Sequence, residues 1–414
     1  MAETITMTTF WEMVALGWIA LALLGLSLVE AGIVRKHHSH HALFKNFIQI
    51  GLGVIVWWLV GYAFANGEVE KGFIGSEKFA GDDWHDTTNY HVASLWFLFG
   101  LVPVFALNAA LGERLNLWAY LVYTVAILGF VFPVVAAWGL GNGWLTDMNG
   151  KFLDRAGANT VHLLTGSLCI PAVAITGSRI GKFSGEPTYP FHPFDIRYVV
   201  TGGFLLWLGL LGANSGAAAT PIEVGQAMFN TILAGFASSL TCYVITHMIP
   251  GTGHHELWGA ILVGGLAGMI SISSTALNTG TVDAFFMGII VAPFFVLGIT
   301  LVEKLKLDDC GNSIAVFFLP GLLGTLYIGI FDNDEGVLHG GNGETLGLHA
   351  IGGLVVAVWG LTWSTLIFSV LRLTGLLRID PEIEKHGFEN VNVGLAGFYR
   401  EVETSVQSSK SPNQ

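Results

Sequence analysis

Apolar runs of roughly 20 residues recur along this chain, each long enough to cross a hydrocarbon core as a helix. Length alone, 414 residues, would suggest two or three soluble domains. With 52% hydrophobic and only 12% charged residues, the runs indicate a polytopic membrane protein instead. The 54 glycines agree, because closely packed membrane helices favour small residues at their contacts. Cys169, Cys242 and Cys310 lie far apart and suggest buried thiols rather than a disulfide framework or a metal motif. The first residues, MAETITMTTFWEM, carry Glu3 and Glu12 but no basic residue, so Phe10–Val34 reads as a retained span rather than a secretory signal.

Eleven spans are expected, beginning near Phe10, Phe47, Tyr90, Leu117, Thr160, Tyr198, Ile222, Leu257, Ala284, Ser313 and Leu346. Alternate connections carry Arg35, Lys36 and Lys45; Arg114; Arg179, Lys182 and Arg197; Lys304 and Lys306. Arg372, Arg378 and Lys385 follow the last span. The opposite connections hold Lys71, Lys78, Lys151 and Arg155. The positive-inside rule then places the N-terminus outside and the C-terminus in the cytoplasm, in a cell (inner) membrane. Two loops on the expected outer side are acidic: one with Glu68, Glu70, Glu77, Asp82, Asp83 and Asp86, the other with Asp332, Asp334, Glu335 and Glu344. Such loops are ordinarily solvated, though their field also concentrates cations.

One pattern occurs twice. Asp154 is followed eight residues later by His162 and then by Gly166; Asp309 is followed at the same spacings by Phe317 and Gly321. The first copy opens a span running inward and the second a span running outward, which predicts an inverted repeat of spans one to five against six to ten. The expected fold is therefore all-α and polytopic, a five-plus-five inverted repeat with an eleventh helix. The transmembrane domain covers residues 1–378 and a polar cytoplasmic tail covers 379–414, ending in SSKSPNQ.

An ionisable group inside a span is costly and points to function, and His162 in TVHLLTGSL can exchange a proton near neutral pH. The plainer reading is a structural histidine bonded to a backbone carbonyl. Asp154 suits a helix cap as well as a cation site. Trp138 and Phe99 offer aromatic faces to a cation, although tryptophan also populates interfacial belts. The run His37, His38, His40 and His41 reads as a solvated loop before it reads as a metal site, and His254 and His255 in GTGHHEL are similarly ambiguous. No phosphate loop, catalytic triad or zinc spacing is present, so no enzyme, cofactor, metal or nucleic-acid partner is expected.

Taken together, DRAGANTVH, ALGERLNL, GANSGAAAT and LDDCGNSIAVFFLPGLLGTLYIGIF resemble segments of the ammonium transporter (Amt/MEP/Rh) family over nearly the whole chain. The resemblance implies a homotrimer in the lipid bilayer with a narrow pore in each subunit. An outer vestibule binds ammonium, two stacked phenylalanines close it, and paired histidines lie below. By this match Trp138 falls on the vestibule tryptophan, Phe99 on one gate phenylalanine, Asp154 on the supporting aspartate and His162 on the first pore histidine. Four matched positions depart from the family: Ala213 replaces the second gate phenylalanine, Ala217 the vestibule serine, Phe317 the second pore histidine, and Asn312 an aspartate. In the tail, Val393 and Leu395 replace the family's histidine and glutamate, which puts docking of a PII-type regulator in doubt.

Phe317 cannot carry a proton, and the departures lie along the conduction path. The leading expectation is an ammonium-binding receptor with impaired conduction, its tail reporting to a cytoplasmic signalling partner. The alternative is a working transporter of ammonium or ammonia with one histidine. A channel for another small neutral molecule and an unrelated secondary transporter are weaker readings; the latter would need ionisable residues in other spans.

Overall fold

The computed structural model describes residues 7–70, 72–84, 87–148, 152–183, 191, 193–248 and 259–387. Lys71, Asp86, Lys151, His254, His255, Val393 and Leu395 lie outside the described residues, as does everything after residue 387. The helices are α1 (Met7–Ile33), α2 (Lys36–Val56, prolonged through a wide turn Trp57–Gly61 to Tyr62–Asn66) and α3 (Thr87–Leu111). Next come α4 (Leu117–Ala126, then Ile127–Val131 and Phe132–Gly139) and α5 (a wide turn Ala158–Leu163, then Leu164–Thr176). They are followed by α6 (Ile196–Ser215), α7 (Pro221–Met248), α8 (Gly259–Val263, then Gly264–Ser271) and α9 (Thr281–Lys304). The last described helices are α10 (Ser313–Phe331), α11 (Glu344–Leu373) and the short α12 (Pro381–His386).

Among the described residues, ten helices are long and apolar enough to cross a membrane. The expected eighth span is described only from residue 259, where the apolar stretch Ile261–Ser271 is shorter. Among the described residues, extended pairing is confined to a small antiparallel hairpin, Val69–Glu70 with Ile74–Gly75, inside the acidic loop between α2 and α3, and one isolated bridge between Leu115 and Arg378.

Local chemistry fixes several helix starts. Asn116 accepts from the Trp118 amide, Asp195 from that of Arg197 at 2.9 Å, and Pro221 opens α7 where a missing N–H costs nothing.

The packing of glycines reveals the repeat. On α1 and α6, a Cβ on Gly25 would meet the Gly202 carbonyl at 2.5 Å, and one on Gly202 would meet the Gly25 carbonyl at 2.6 Å. Gly32, seven residues beyond Gly25, lies against Val199, three before Gly202; Gly209 lies against Ala22 in the mirrored relation. On α5 and α10, Gly166 lies against the backbone of Phe318 and Gly321 against that of Leu163. Both pairs are antiparallel, and each contact has its counterpart under a two-fold rotation, as inverted halves require.

Two expectations about basic residues need correction. Lys45 is not in a connection: α2 begins at Lys36, and Lys45 is 1% exposed, its Nζ 2.5 Å from Glu30 of α1. Asn46, Gln49 and Asn108 surround the pair with hydrogen bonds, which lets a charge pair sit among apolar helices. The histidine run is likewise the first turns of α2 rather than a loop: His37 and His40 are exposed and His38 is buried. No cluster of metal-ligating type occurs among the described residues.

At one end of the bundle the connections α1–α2, α3–α4, α5–α6 and α9–α10 meet the start of the expected tail. Glu113 pairs with Arg35 and, at 3.3 Å, with Arg179; Arg179 Nε also holds Asp308 at 2.8 Å. Arg114, fully buried, donates to the Asp308 carbonyl at 2.5 Å. Burial would raise the Asp308 carboxyl, but Arg179 and Arg114 beside it hold it below the ordinary carboxylate range.

Candidate functional site

Two chambers lie in line through the bundle. The larger, about 360 Å³, is lined by Glu12, Trp96, Phe99, Asp154, Ala213 and Ala217 among others. The second is narrow and apolar, about 80 Å³, and runs between α1, α6 and α10 past His162 and Phe317 to Ser313. Phe99 and Ala213 belong to both walls, so the chambers meet at these two residues.

The geometry of His162 starts from Asp154 and Gly157. Gly157 takes a left-handed backbone (φ 82°), which glycine adopts without strain. The Asp154 carboxylate accepts from the amides of Asn159 (3.2 Å) and Thr160 (2.7 Å) and from the Ser274 hydroxyl (2.6 Å). It therefore caps the start of α5 while lining the larger chamber. The His162 amide reaches back to the Gly157 carbonyl at 2.9 Å, a five-residue step that widens the first turn. Wide turns of this kind recur where a side chain must be aimed at a site.

His162 is 4% exposed, and neither ring nitrogen has a hydrogen-bond partner among the described residues. The structural-histidine reading, in which a backbone carbonyl holds the ring, is therefore not what is seen. Its ring lies nearly parallel to that of Phe317, centroids 5.8 Å apart and planes 24° apart. A buried polar group left without a partner costs about 1–3 kcal/mol, and Phe317 offers it neither donor nor acceptor.

The second copy of the pattern is built similarly with one difference. Asp309 caps α10 by accepting from the Ile314 amide at 2.7 Å, but its Oδ1 has no partner among the described residues. Burial pushes this carboxyl up to about 6 against the opposing pull of the Ile314 and Ser313 amides. Asn312 stands at φ 54°, a left-handed position that asparagine tolerates better than most residues.

The structure brings Phe99, Asp154, His162, Ala213 and Phe317 onto one path, with Ala217 on the exposed wall of the larger chamber. Trp138 is placed differently: it is 3% exposed, packs against Phe73, Trp144 and Trp359, and donates Nε1–H to the Phe73 carbonyl at 2.8 Å. The hairpin loop supplies that acceptor, so the indole serves the packing of the loop, while Gly139 and Asn142 line the chamber next to it. Sequence reasoning missed Trp96 and Glu12 on the chamber wall. Glu12 was legible only as an acidic residue inside the first apolar run.

A helical membrane bundle with inverted halves, a chamber at one mouth and an apolar path between the halves defines a membrane transporter class. The chain belongs to the Ammonium Transporter Family, whose model matches residues 10–398. Members are transporters, not enzymes, and this chain is an integral membrane protein. It is 27% identical over 395 residues to ammonium transporter Amt2 of Archaeoglobus fulgidus, covering 88% of this chain and 82% of that one. Among solved structures, one described as a Sensor Amt Protein superposes with a TM-score of 0.85 at 26% identity, covering 94% of this chain and 98% of the other. Mep2 of Candida albicans shares the fold, with a TM-score of 0.81 at 22% identity over 91% and 86% of the two chains.

Proposed function

We propose that this chain recognises ammonium in its outer chamber, conducts it poorly, and acts as a sensor whose tail, residues 379–414, engages a cytoplasmic partner. On this reading the N-terminus lies outside, the C-terminus lies in the cytoplasm, residues 1–378 form the transmembrane domain, and the assembly is a homotrimer. The observation that carries the reading is the His162–Phe317 stack, in which the imidazole lacks a second proton-exchanging group. Phe99 and Asp154 supply an aromatic face and a negative field for the cation; Trp138 adjoins Gly139 of the chamber wall. Likeness to a Sensor Amt Protein supports the sensing role.

A working transporter is the second reading, favoured by the apolar path that continues past His162 to Ser313 and by the small Ala213 at its neck. Reconstituted protein separates the two. Saturable ammonium binding with at most a weak ammonium current is expected. A robust saturable current would establish transport and overturn the sensor reading.

A further inference from the structure

Glu12 of α1 and His91 of α3 form a carboxylate–imidazole pair at the larger chamber, Nε2 to Oε2 at 2.9 Å, with side chains 21% and 8% exposed. Glu12 lines the chamber together with Phe99 and Trp96. The other carboxylate on this wall, Asp154, is held by three donors as a helix cap, and Arg155 is paired with Asp332 at 2.7 Å. Ala217 brings no hydroxyl to the wall. A small cation with several N–H donors therefore meets aromatic faces and one carboxylate whose partner is itself titratable.

We propose that Glu12 is the charged acceptor for ammonium in this chamber and that His91 is a positioning residue that makes the site pH-dependent. The inference rests on the ammonium reading given above. Protonated His91 neutralises Glu12 and competes with the bound cation; neutral His91 leaves the carboxylate charge to the chamber. A proton on the pair and a bound ammonium compete for the same carboxylate, so affinity rises as pH rises. Among the described residues, the charged and titratable groups on the chamber wall and its pair include Glu12, His91, Asp154 and Arg155.

The test is calorimetric titration of the purified full-length chain with ammonium chloride at several pH values, using wild type, Glu12→Gln and His91→Gln. Glu12→Gln keeps the shape and removes the charge, and should weaken binding roughly tenfold at the highest pH of the series, about 1.4 kcal/mol. His91→Gln should bind nearly as tightly as wild type there and lose the pH dependence. Wild-type affinity in a folded Glu12→Gln protein overturns the assignment while leaving ammonium recognition standing. If Glu12→Gln does not fold, an unaltered pH profile in His91→Gln overturns it instead. A wild-type chain that binds no ammonium overturns both readings.

Discussion

At the scale of single residues, Phe317 and Asp309 carry opposite consequences. Phe317→His places an imidazole where the stacked ring now lies, 5.8 Å from His162 by centroids, and restores a proton-exchanging pair. Ammonium current in proteoliposomes should rise about a hundredfold, the low end of what a positioned proton-transfer group contributes. No rise would place the obstruction at the Phe99–Ala213 neck or in the packing of Phe318. Asp309 concerns stability. Its carboxyl sits at about 6 in the folded chain, against an unfolded value of about 3.9. A raised folded value means the stabilising, protonated form is fully present below the unfolded value and is lost as pH rises through the folded one. The wild-type melting temperature should thus fall between about pH 4 and pH 7, relative to Asp309→Asn. The asparagine variant, which still offers the Ile314 amide an acceptor, should be the more stable of the two at neutral pH. Equal melting curves across that range would mean the carboxyl is not perturbed. Asp308, held low by arginines, gains and loses its contribution at more acid pH and does not interfere in this window.

At the scale of helices, the crossings of α1 with α6 and of α5 with α10 depend on backbones that touch. A Cβ on Gly166 would sit 2.2 Å from the Phe318 amide nitrogen, a contact that forces the helices apart. Gly17 has nothing within 4 Å of the same position. Gly166→Ala should therefore lower the thermal midpoint and broaden the transition, while Gly17→Ala should be neutral or stabilising by roughly 0.5–1 kcal/mol through helix propensity. Similar melting of the two variants would refute the close crossing. The same elements explain what could be read from the sequence. Asp154 and Asp309 at equal distances from Gly166 and Gly321 revealed the inverted halves, because caps and close glycines are local requirements that leave a spacing. Lys45 misled, because its position inside α2 depends on Glu30, fifteen residues away on another helix. The setting of Trp138 was illegible for a related reason: its indole N–H is committed to a carbonyl in the hairpin loop, a contact no spacing announces. The role of Glu12 at the chamber required knowing that α1 and α3 bring it to His91.

At the scale of the whole molecule, the short α12 ties the start of the tail to the bundle through one buried carboxylate. Glu384 is 1% exposed, and its Oε1 accepts from the Ile180 amide at 2.7 Å while Oε2 accepts from Arg378 at 2.6 Å. Its carbonyl accepts from Arg35 at 2.8 Å, and Arg35 joins Glu113, which joins Arg179 and so Asp308, immediately before Asp309 and α10. A displacement of α12 thus reaches the foot of the helix that carries Phe317 through charge pairs, each of which is costly to leave unmatched. Glu384→Ala removes two acceptors from buried or half-buried donors, at about 1–3 kcal/mol for each group left unpaired. Limited proteolysis should then cut in the segment 376–387 faster than in wild type, and the Ile180 amide should exchange hydrogen faster. Ammonium affinity should stay at the wild-type value, because Glu384 lies at the end of the bundle away from the larger chamber. Unchanged proteolysis and exchange would show that α12 is held by its apolar contacts, such as buried Ile383, rather than by the carboxylate. A fall in ammonium affinity with release of α12 would instead reveal coupling between the two ends, and by reciprocity ammonium binding would then shift the position of the tail.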